Sequence, residues 1–319
     1  MRDILVITGG VGFCGSHIAD HFASRFHVRL FDAFARDSLH VAPSLANSPN
    51  VEIVKGDVLD RQRLRAAVDG ATAVIHCAAI AGVSNYYNRP VDTLRVNILG
   101  TFNLLDALVE TGIRRVIYFS TSEIYGPNAN SVSETATPTS GPVSDRRWVY
   151  SVSKLAGEHA TLRYGEVHGI NATTVRPFNI YGPRQTGEGA ISNFARRLVG
   201  GKPIEVHGDG SDVRAWCHVK DLVAAVDLML DNQAAYGKSF NIGNPTASLT
   251  TVDLARAMVA AYGGGEVRKI ARLHSPIPLR TPDIRLARAV LGYEPRVGIM
   301  EGLKDTIEWF KREQPNESS

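Results

Sequence analysis

The sequence predicts an α/β chain in which a doubly wound parallel sheet is joined to a smaller C-terminal α/β lobe. Three observations lead there. Short β-branched runs alternate with amphipathic segments through the first half, the runs are apolar, and the alternation breaks after about Pro177. Apolar strands separated by helices belong to a parallel sheet covered on both faces.

In chain order, residues 4–8, 28–32, 51–55, 73–76, 116–120 and 173–176 read as strands. Helical patterns lie between them near 13–25, 60–69, 90–111 and 148–168. Beyond Pro177 come loops carrying Gly and Pro, at 182–190 and 200–210. Strand-like pieces at 204–207 and 239–242, with helices near 189–200, 250–262 and 299–312, would build the smaller lobe. The expected division is a sheet domain over 1–177, to which part of the later chain returns, a second lobe over 178–312, and a disordered tail over 313–319.

Composition narrows the function classes. A chain of 319 residues with 44% hydrophobic and 21% charged residues is an ordinary globular protein with a substantial core. A formal charge of +3, with no Lys/Arg run to concentrate it, is too small to argue for nucleic acid, and no such partner is expected. The first ten residues lead directly into a strand, so no secretory leader is expected, and no apolar stretch is long enough to cross a bilayer. Cys14, Cys77 and Cys217 are odd in number and far apart, which points to reduced thiols and a cytoplasmic protein. The His and Cys residues show no paired ligand spacing, so no metal site is expected.

ThrGlyGlyValGlyPheCysGly (8–15) falls between the first strand and the first helix. Gly9, Gly12 and Gly15 permit a tight turn whose backbone N–H groups, with those of Phe13 and Cys14, can meet a pyrophosphate at a helix N-terminus. An acid, Asp32, stands at the end of the second strand, about 20 residues beyond the turn. A carboxylate there takes both hydroxyls of an adenosine ribose and repels a 2′-phosphate, which favours NAD; nearby Arg36 leaves NADP open. Asp57, with Val58, follows the third strand, where a carboxylate could meet the adenine amine or serve as a helix N-cap. Ala78 and Ala79, in HisCysAlaAla (76–79), leave room for a cofactor against the backbone.

Tyr150 and Lys154 stand at i and i+4 of a predicted helix and share one face. A phenol with an ordinary pKa near 10 is a poor base at neutral pH, and an adjacent ammonium makes its phenolate accessible. The loop after the fifth strand, SerThrSerGluIleTyrGly (120–126), sets Thr121, Ser122 and Glu123 at the carboxyl end of the sheet, where such folds bind ligands. A hydroxyl there can bond the oxygen being oxidised. The acid either moves a further proton, repels another anion, or caps backbone N–H groups.

Together these residues resemble the extended short-chain dehydrogenase/reductase family of NAD-dependent epimerases, dehydratases and decarboxylases, from Thr8 to about Trp309. Within it the chain looks most like UDP-glucuronic acid decarboxylases. The likeness rests on 120–126, on GlyProValSerAspArgArgTrpValTyrSerValSerLys (141–154), on ArgProPheAsnIleTyrGlyProArg (176–184), on GlyAspGlySerAspValArg (208–214) and on PheAsnIleGlyAsn (240–244). The resemblance implies a Rossmann NAD-binding domain, a nucleotide-sugar-binding lobe and a homodimer formed through a helix pair that includes 148–168. It gives Thr121, Ser122, Glu123, Tyr150 and Lys154 catalytic positions and puts Pro177 near the nicotinamide. It places Asn179 and Arg184 in the substrate region, Arg214 and Arg280 near the diphosphate or reacting sugar, and Tyr86, within 85–90, at the border of the sugar pocket.

In one segment the chain departs from the decarboxylases. Residues 185–191, GlnThrGlyGluGlyAlaIle, are shorter than the corresponding stretch there and closer to the epimerases, so a short lid is expected. The favoured reading is NAD-dependent decarboxylation of UDP-glucuronate through a C4-keto sugar, giving UDP-xylose or a 4-keto pentose. A 4-epimerase uses the same oxidation. A 4,6-dehydratase would carry an Asp–Glu pair where this chain has Ser122 and Glu123. A non-catalytic NAD(H)-binding sensor on the same fold is the reading from a different class.

Overall fold

A computed structural model describes residues 2–272 and 277–313. Seven strands form one parallel sheet: β1 (Ile4–Thr8), β2 (His27–Asp32), β3 (Val51–Lys55), β4 (Ala73–His76), β5 (Arg115–Phe119), β6 (Asn171–Pro177) and β7 (Lys238–Ile242). Their order is β7-β6-β5-β4-β1-β2-β3, and every adjacent pair runs parallel. Chain direction across the sheet reverses between β1 and β4, and the crevice at their carboxyl ends is where open sheets of this kind take ligands.

The two-residue period of each strand divides the core. Leu5, Ile7 and Leu30 face α1 (Phe13–Phe22), whereas Val6 and Phe31 face α2 (Arg61–Val68) and α3 (Gly100–Thr111). All five side chains are fully buried. The 20-residue helix α4 (Val149–His168) packs on β6 and α3 and carries Tyr150 and Lys154 on its first turns. The segment read as one helix over 90–111 is divided: Pro90–Leu94 and α3 are α-helical, and Arg95–Leu99 forms a π turn between them. That turn aims the Asn97 amide at the Ile80 backbone (2.8 Å) and at the Ser153 hydroxyl (2.9 Å), tying α4 to the loop after β4.

The smaller lobe is built on a four-stranded sheet in the order Ser248–Thr250, Val213–Ala215, Leu279–Pro282, Asn128–Val132. Helices Ala190–Val199, Thr251–Tyr262 and Ile299–Glu313 close around Phe194, Leu254, Met258, Leu303 and Ile307. Residues 239–242, expected in this lobe, instead belong to β7 at the edge of the main sheet, where Phe240 and Ile242 join the same core as Leu5 and Ile7. Conversely, Asn128–Val132, from the first half of the chain, pairs with Leu279–Pro282 in the small sheet. A helix the sequence reading did not anticipate, α5 (Val219–Leu230), covers the α1 face of the main sheet with Leu222, Val226 and Met229. Of the tail expected at 313–319, Glu313 ends the last helix and the remainder lies outside the described residues.

Among the described residues no helix is long and apolar enough to cross a membrane, and no cluster of His, Cys, Asp or Glu could hold a metal ion.

Candidate functional site

The glycine turn after β1 admits no larger residue at Gly9, Gly10 or Gly15. Gly9 sits at φ +69°, and a Cβ on it would lie 2.6 Å from the Ala78 nitrogen. A Cβ on Gly15 would strike the backbone of Gly9 and Gly10. The turn therefore lies against the end of β4, where Ala78 and Ala79 keep the crevice open. Gly12 is the N-cap of α1 and offers no side-chain cap, which leaves the first-turn N–H groups at Phe13, Cys14 and Gly15 available to an anion. These residues fit the pyrophosphate of a dinucleotide.

Asp32, at the end of β2, accepts hydrogen bonds from the Val11 and Phe34 backbone N–H groups at 3.1 and 2.7 Å. Burial raises its pKa, and those two bonds work against the rise. Asp32 thus locks the glycine turn to β2. Arg36 donates to the Ala81 carbonyl at 2.6 Å, on the far side of the crevice. Asp57 is exposed and accepts from the Leu59 N–H at 2.9 Å, while the N-cap of α2 is Asp60. The Val58 side chain is core, packed in the cluster with Val6 and Leu104.

At the carboxyl end of the sheet the crevice opens into a cavity of about 340 Å³. Thr121, Ser122, Glu123 and Tyr150 form one wall. Tyr86, Pro177, Asn179, Arg214 and Arg280 complete the enclosure, so nine residues expected from the sequence meet in one place. Thr121 is the N-cap of the turn Ser122–Tyr125, with its hydroxyl accepting from the Glu123 N–H at 3.2 Å. The Tyr150 phenol, whose pKa Thr121 works to lower, stacks on Tyr86 at 4.9 Å and 12°. Asn179 holds φ +43°, a conformation Asn tolerates, and donates to the Ala215 carbonyl at 2.9 Å.

Charge in the cavity is unbalanced. One Glu123 oxygen lies 3.1 Å from Arg147 and 3.5 Å from Arg280. Burial, followed by the neighbouring Arg280, presses Arg214 down to about 10, a sign of cations crowded out of water. Asp212 approaches Arg214 only to 3.9 Å and is held by Arg272 at 2.6 Å. Three guanidiniums therefore stand against two cavity carboxylates, Glu123 and the exposed Glu188, an excess of positive charge that can receive phosphate or carboxylate oxygens.

Burial governs the two residues on α4. It drives the Tyr150 phenol well above its ordinary value, with Glu123 adding to the rise and Thr121 opposing it. It pushes the Lys154 ammonium, which sits over the Tyr118 ring at 4.3 Å, down to about 7. Burial likewise pushes the Cys14 thiol up to about 12, so it is no nucleophile at neutral pH.

Buried polar atoms without partners gather at the cavity. Among the described residues there are six such side-chain atoms, and five line this cavity: Glu123 Oε2, Gln185 Oε1, Arg147 Nη1, Arg280 Nε and Trp216 Nε1. Native interiors leave few such groups. Two acceptors and three donors around one cavity suit a ligand that carries both hydroxyls and anionic oxygens.

Arg184 is not brought to the cavity: its guanidinium pairs with Asp20 at 2.8 Å, beside α1. The sequence reading missed Arg147, Gln185, Glu188 and Trp216. Spacing gave no signal for Arg147, which lies outside α4 in the turn Arg146–Trp148. The short segment 185–191 does cover the cavity, with Glu188 reaching Ser84 through a hydroxyl contact and a 3.2 Å bond from the Ser84 N–H.

Such a crevice, closed by a glycine turn on one side and opening on guanidiniums at the other, defines a dinucleotide-dependent α/β enzyme. The chain belongs to the NAD dependent epimerase/dehydratase family, which it matches over residues 5–243, and its cofactor is NAD. It is 31% identical to a UDP-N-acetyl-alpha-D-glucosaminuronate decarboxylase of Bacillus cytotoxicus, covering 98% of each chain. It is 32% identical to UDP-glucuronic acid decarboxylase 1 of Xenopus tropicalis, over 100% of this chain and 74% of that one. The crystal structure of a UDP-glucuronic acid 4-epimerase from Bacillus cereus, in complex with UDP-glucuronic acid and NAD, superposes with a TM-score of 0.89. That likeness has 25% identity and covers 97% of this chain and 99% of the other.

Proposed function

We propose that this chain decarboxylates a UDP-linked uronic acid, with UDP-glucuronate the favoured substrate, through a C4-keto sugar. The observation that carries the reading is Glu123, held by Arg147 and Arg280 with its second oxygen unpartnered beside Thr121 and Tyr150. The two decarboxylase relatives, alike over nearly the whole of this chain, support it.

Gly9, Gly12, Gly15 and Asp32 would hold NAD, which supplies the acceptor for the C4 hydride and its later return. Tyr150 takes the proton of the 4-hydroxyl while Thr121 orients that oxygen, and the Lys154 ammonium stabilises the phenolate. The new C4 ketone is β to the C6 carboxylate. The electrons of the C5–C6 bond therefore pass into the carbonyl as CO2 departs, leaving an enolate. Glu123, with Ser122, orders the water that protonates C5. Arg214 and Arg280 bind the diphosphate. Tyr150 returns its proton to the C4 oxygen, giving UDP-xylose; earlier release gives the 4-keto pentose.

A 4-epimerase is the second reading, favoured by the short segment 185–191 and by the likeness to the UDP-glucuronic acid 4-epimerase. One assay separates them. Purified protein with NAD is given UDP-glucuronate or UDP-N-acetylglucosaminuronate, and product mass is followed. Loss of CO2 is expected; a product isobaric with its substrate selects the epimerase and sinks the decarboxylase. Tyr150→Phe should lower turnover by about 10²–10⁴-fold.

The same reading includes a cytoplasmic homodimer. Leu99, Phe102, Val109 and Val152 are exposed apolar residues on or beside α3 and α4, a face suited to a second copy. Three free thiols suit a reducing compartment.

A further inference from the structure

Arg147 is 7% exposed, yet one of its terminal nitrogens lacks a partner and the cavity is what it faces. The other terminal nitrogen reaches Glu123 at 3.1 Å. Its guanidinium carbon lies 5.7 Å from the centre of the Tyr86 ring, and that ring stacks on Tyr150. Tyr86 is fixed at its other end, where its hydroxyl accepts from the Gly82 N–H at 3.1 Å. A single cation therefore lies against both Glu123 and the ring that stacks on Tyr150.

We propose that Arg147 is a positioning residue for the redox step: it neutralises Glu123 and braces Tyr86, so that Tyr150 can ionise beside a carboxylate. The inference rests on the reading of Tyr150 as the base. Glu123 is needed for the later proton chemistry, yet its charge opposes a phenolate next to it. Arg147 reconciles the two. The other groups facing Tyr150 are Thr121 from the turn after β5, Cys14 from α1, Arg36 from the loop after β2 and Tyr118 from β5, while Lys154, one turn further along α4, lies over the Tyr118 ring. Glu123 also faces Arg280 and Arg214, from separate strands of the small sheet.

The test is an ultraviolet titration of the NAD-loaded enzyme, with Tyr150→Phe subtracted to isolate this phenol. Arg147→Gln should move the Tyr150 midpoint up by about one pH unit. Glu123→Gln should move it down, the double variant should return it towards wild type, and Arg147→Lys should keep it near wild type. A midpoint unchanged by Arg147→Gln or by Glu123→Gln overturns the inference while leaving Tyr150 as the base. No titration lost in Tyr150→Phe overturns the base reading itself, and the inference with it. If Arg147→Gln does not fold, the Glu123→Gln and Arg147→Lys arms still decide the matter.

Discussion

Lys154 holds the most costly position of any single residue at the site. It is 1% exposed, and burial lowers its pKa from an ordinary 10.5 to about 7. Between those values the unfolded chain holds a proton that the folded chain releases. Stability from this group is therefore full above about 10.5 and is lost as pH falls towards 7. Lys154→Met should raise the melting temperature of the NAD-free protein at pH 7 and below. The expected gain is on the order of 2–4 kcal/mol, with a flatter pH profile and no turnover. Melts at pH 6 and pH 9 check this, and a lower melting point for the variant at pH 6 would refute it. The pair with Tyr150 was legible because both residues lie on one helix, where spacing alone fixes a shared face. Arg147 lies outside that helix, in the turn Arg146–Trp148, and its contact with Glu123 depends on how two loops meet. Arg280 arrives from a distant strand, so only family likeness pointed to it. That likeness misled at Arg184, whose side chain turns to Asp20.

Beneath the site, separate elements are locked by one buried polar network. Glu158 on α4 accepts from Arg176 on β6 at 2.7 Å, from Ser239 on β7 at 2.6 Å and from Ser120, just after β5, at 2.5 Å. Arg176 also reaches the Tyr125 hydroxyl at 2.5 Å, in the turn that carries Glu123. Hydrogen bonds, with Arg176 foremost, outweigh burial and lower the pKa of Glu158. Its stabilising effect is therefore present at neutral pH and lost as pH falls below the usual carboxylate range. Arg176→Met leaves that carboxylate buried without its cation and should cost about 3–5 kcal/mol in urea unfolding. Arg176→Met with Glu158→Leu should cost less than Arg176→Met alone, and equal costs would count against a network. The strands of the first half were legible from their apolar runs. Helix α5 was not, because it follows Cys217–His218 with no turn residue between them, and its N-cap is His218 rather than Ser, Thr, Asp or Asn. The strand at 239–242 was visible, but a parallel strand reaches its partner through a long crossover, and no local signal names that partner.

Across the whole molecule, the chain passes between its two sheets more than once, and this decides which piece can fold alone. Asn128–Val132 leaves the first half for the small sheet, and α5 and β7 return from the second half to the large one. A fragment ending at Pro177 would lose Leu222, Val223, Val226, Met229 and Leu230 from the α1 face of the core. At about 1.5–3 kcal/mol for each buried side chain, that is roughly 10 kcal/mol, comparable to the entire stability of an ordinary domain. It would also strand Arg115, which is buried at the start of β5 and donates to the Met229 and Leu230 carbonyls at 2.6 and 2.8 Å. Edge strand β7, paired with β6 over five residues, would be missing, leaving β6 as an unpaired edge open to aggregation. Residues 1–177 expressed alone should therefore aggregate or lack fixed tertiary structure. Residues 1–243 regain α5 and β7 but still lose Ile284, Ala287, Leu291 and Tyr293 from that core and the strands Ser248–Thr250 and Leu279–Pro282 from the small sheet. Their near-ultraviolet circular dichroism and NAD affinity should therefore lie between those of 1–177 and the full chain. The comparison is made by dichroism and by titration with NAD on both fragments beside the full chain. A soluble 1–177 fragment that binds NAD as tightly as the full chain would show that α5 and β7 are not needed to complete the cofactor-binding fold.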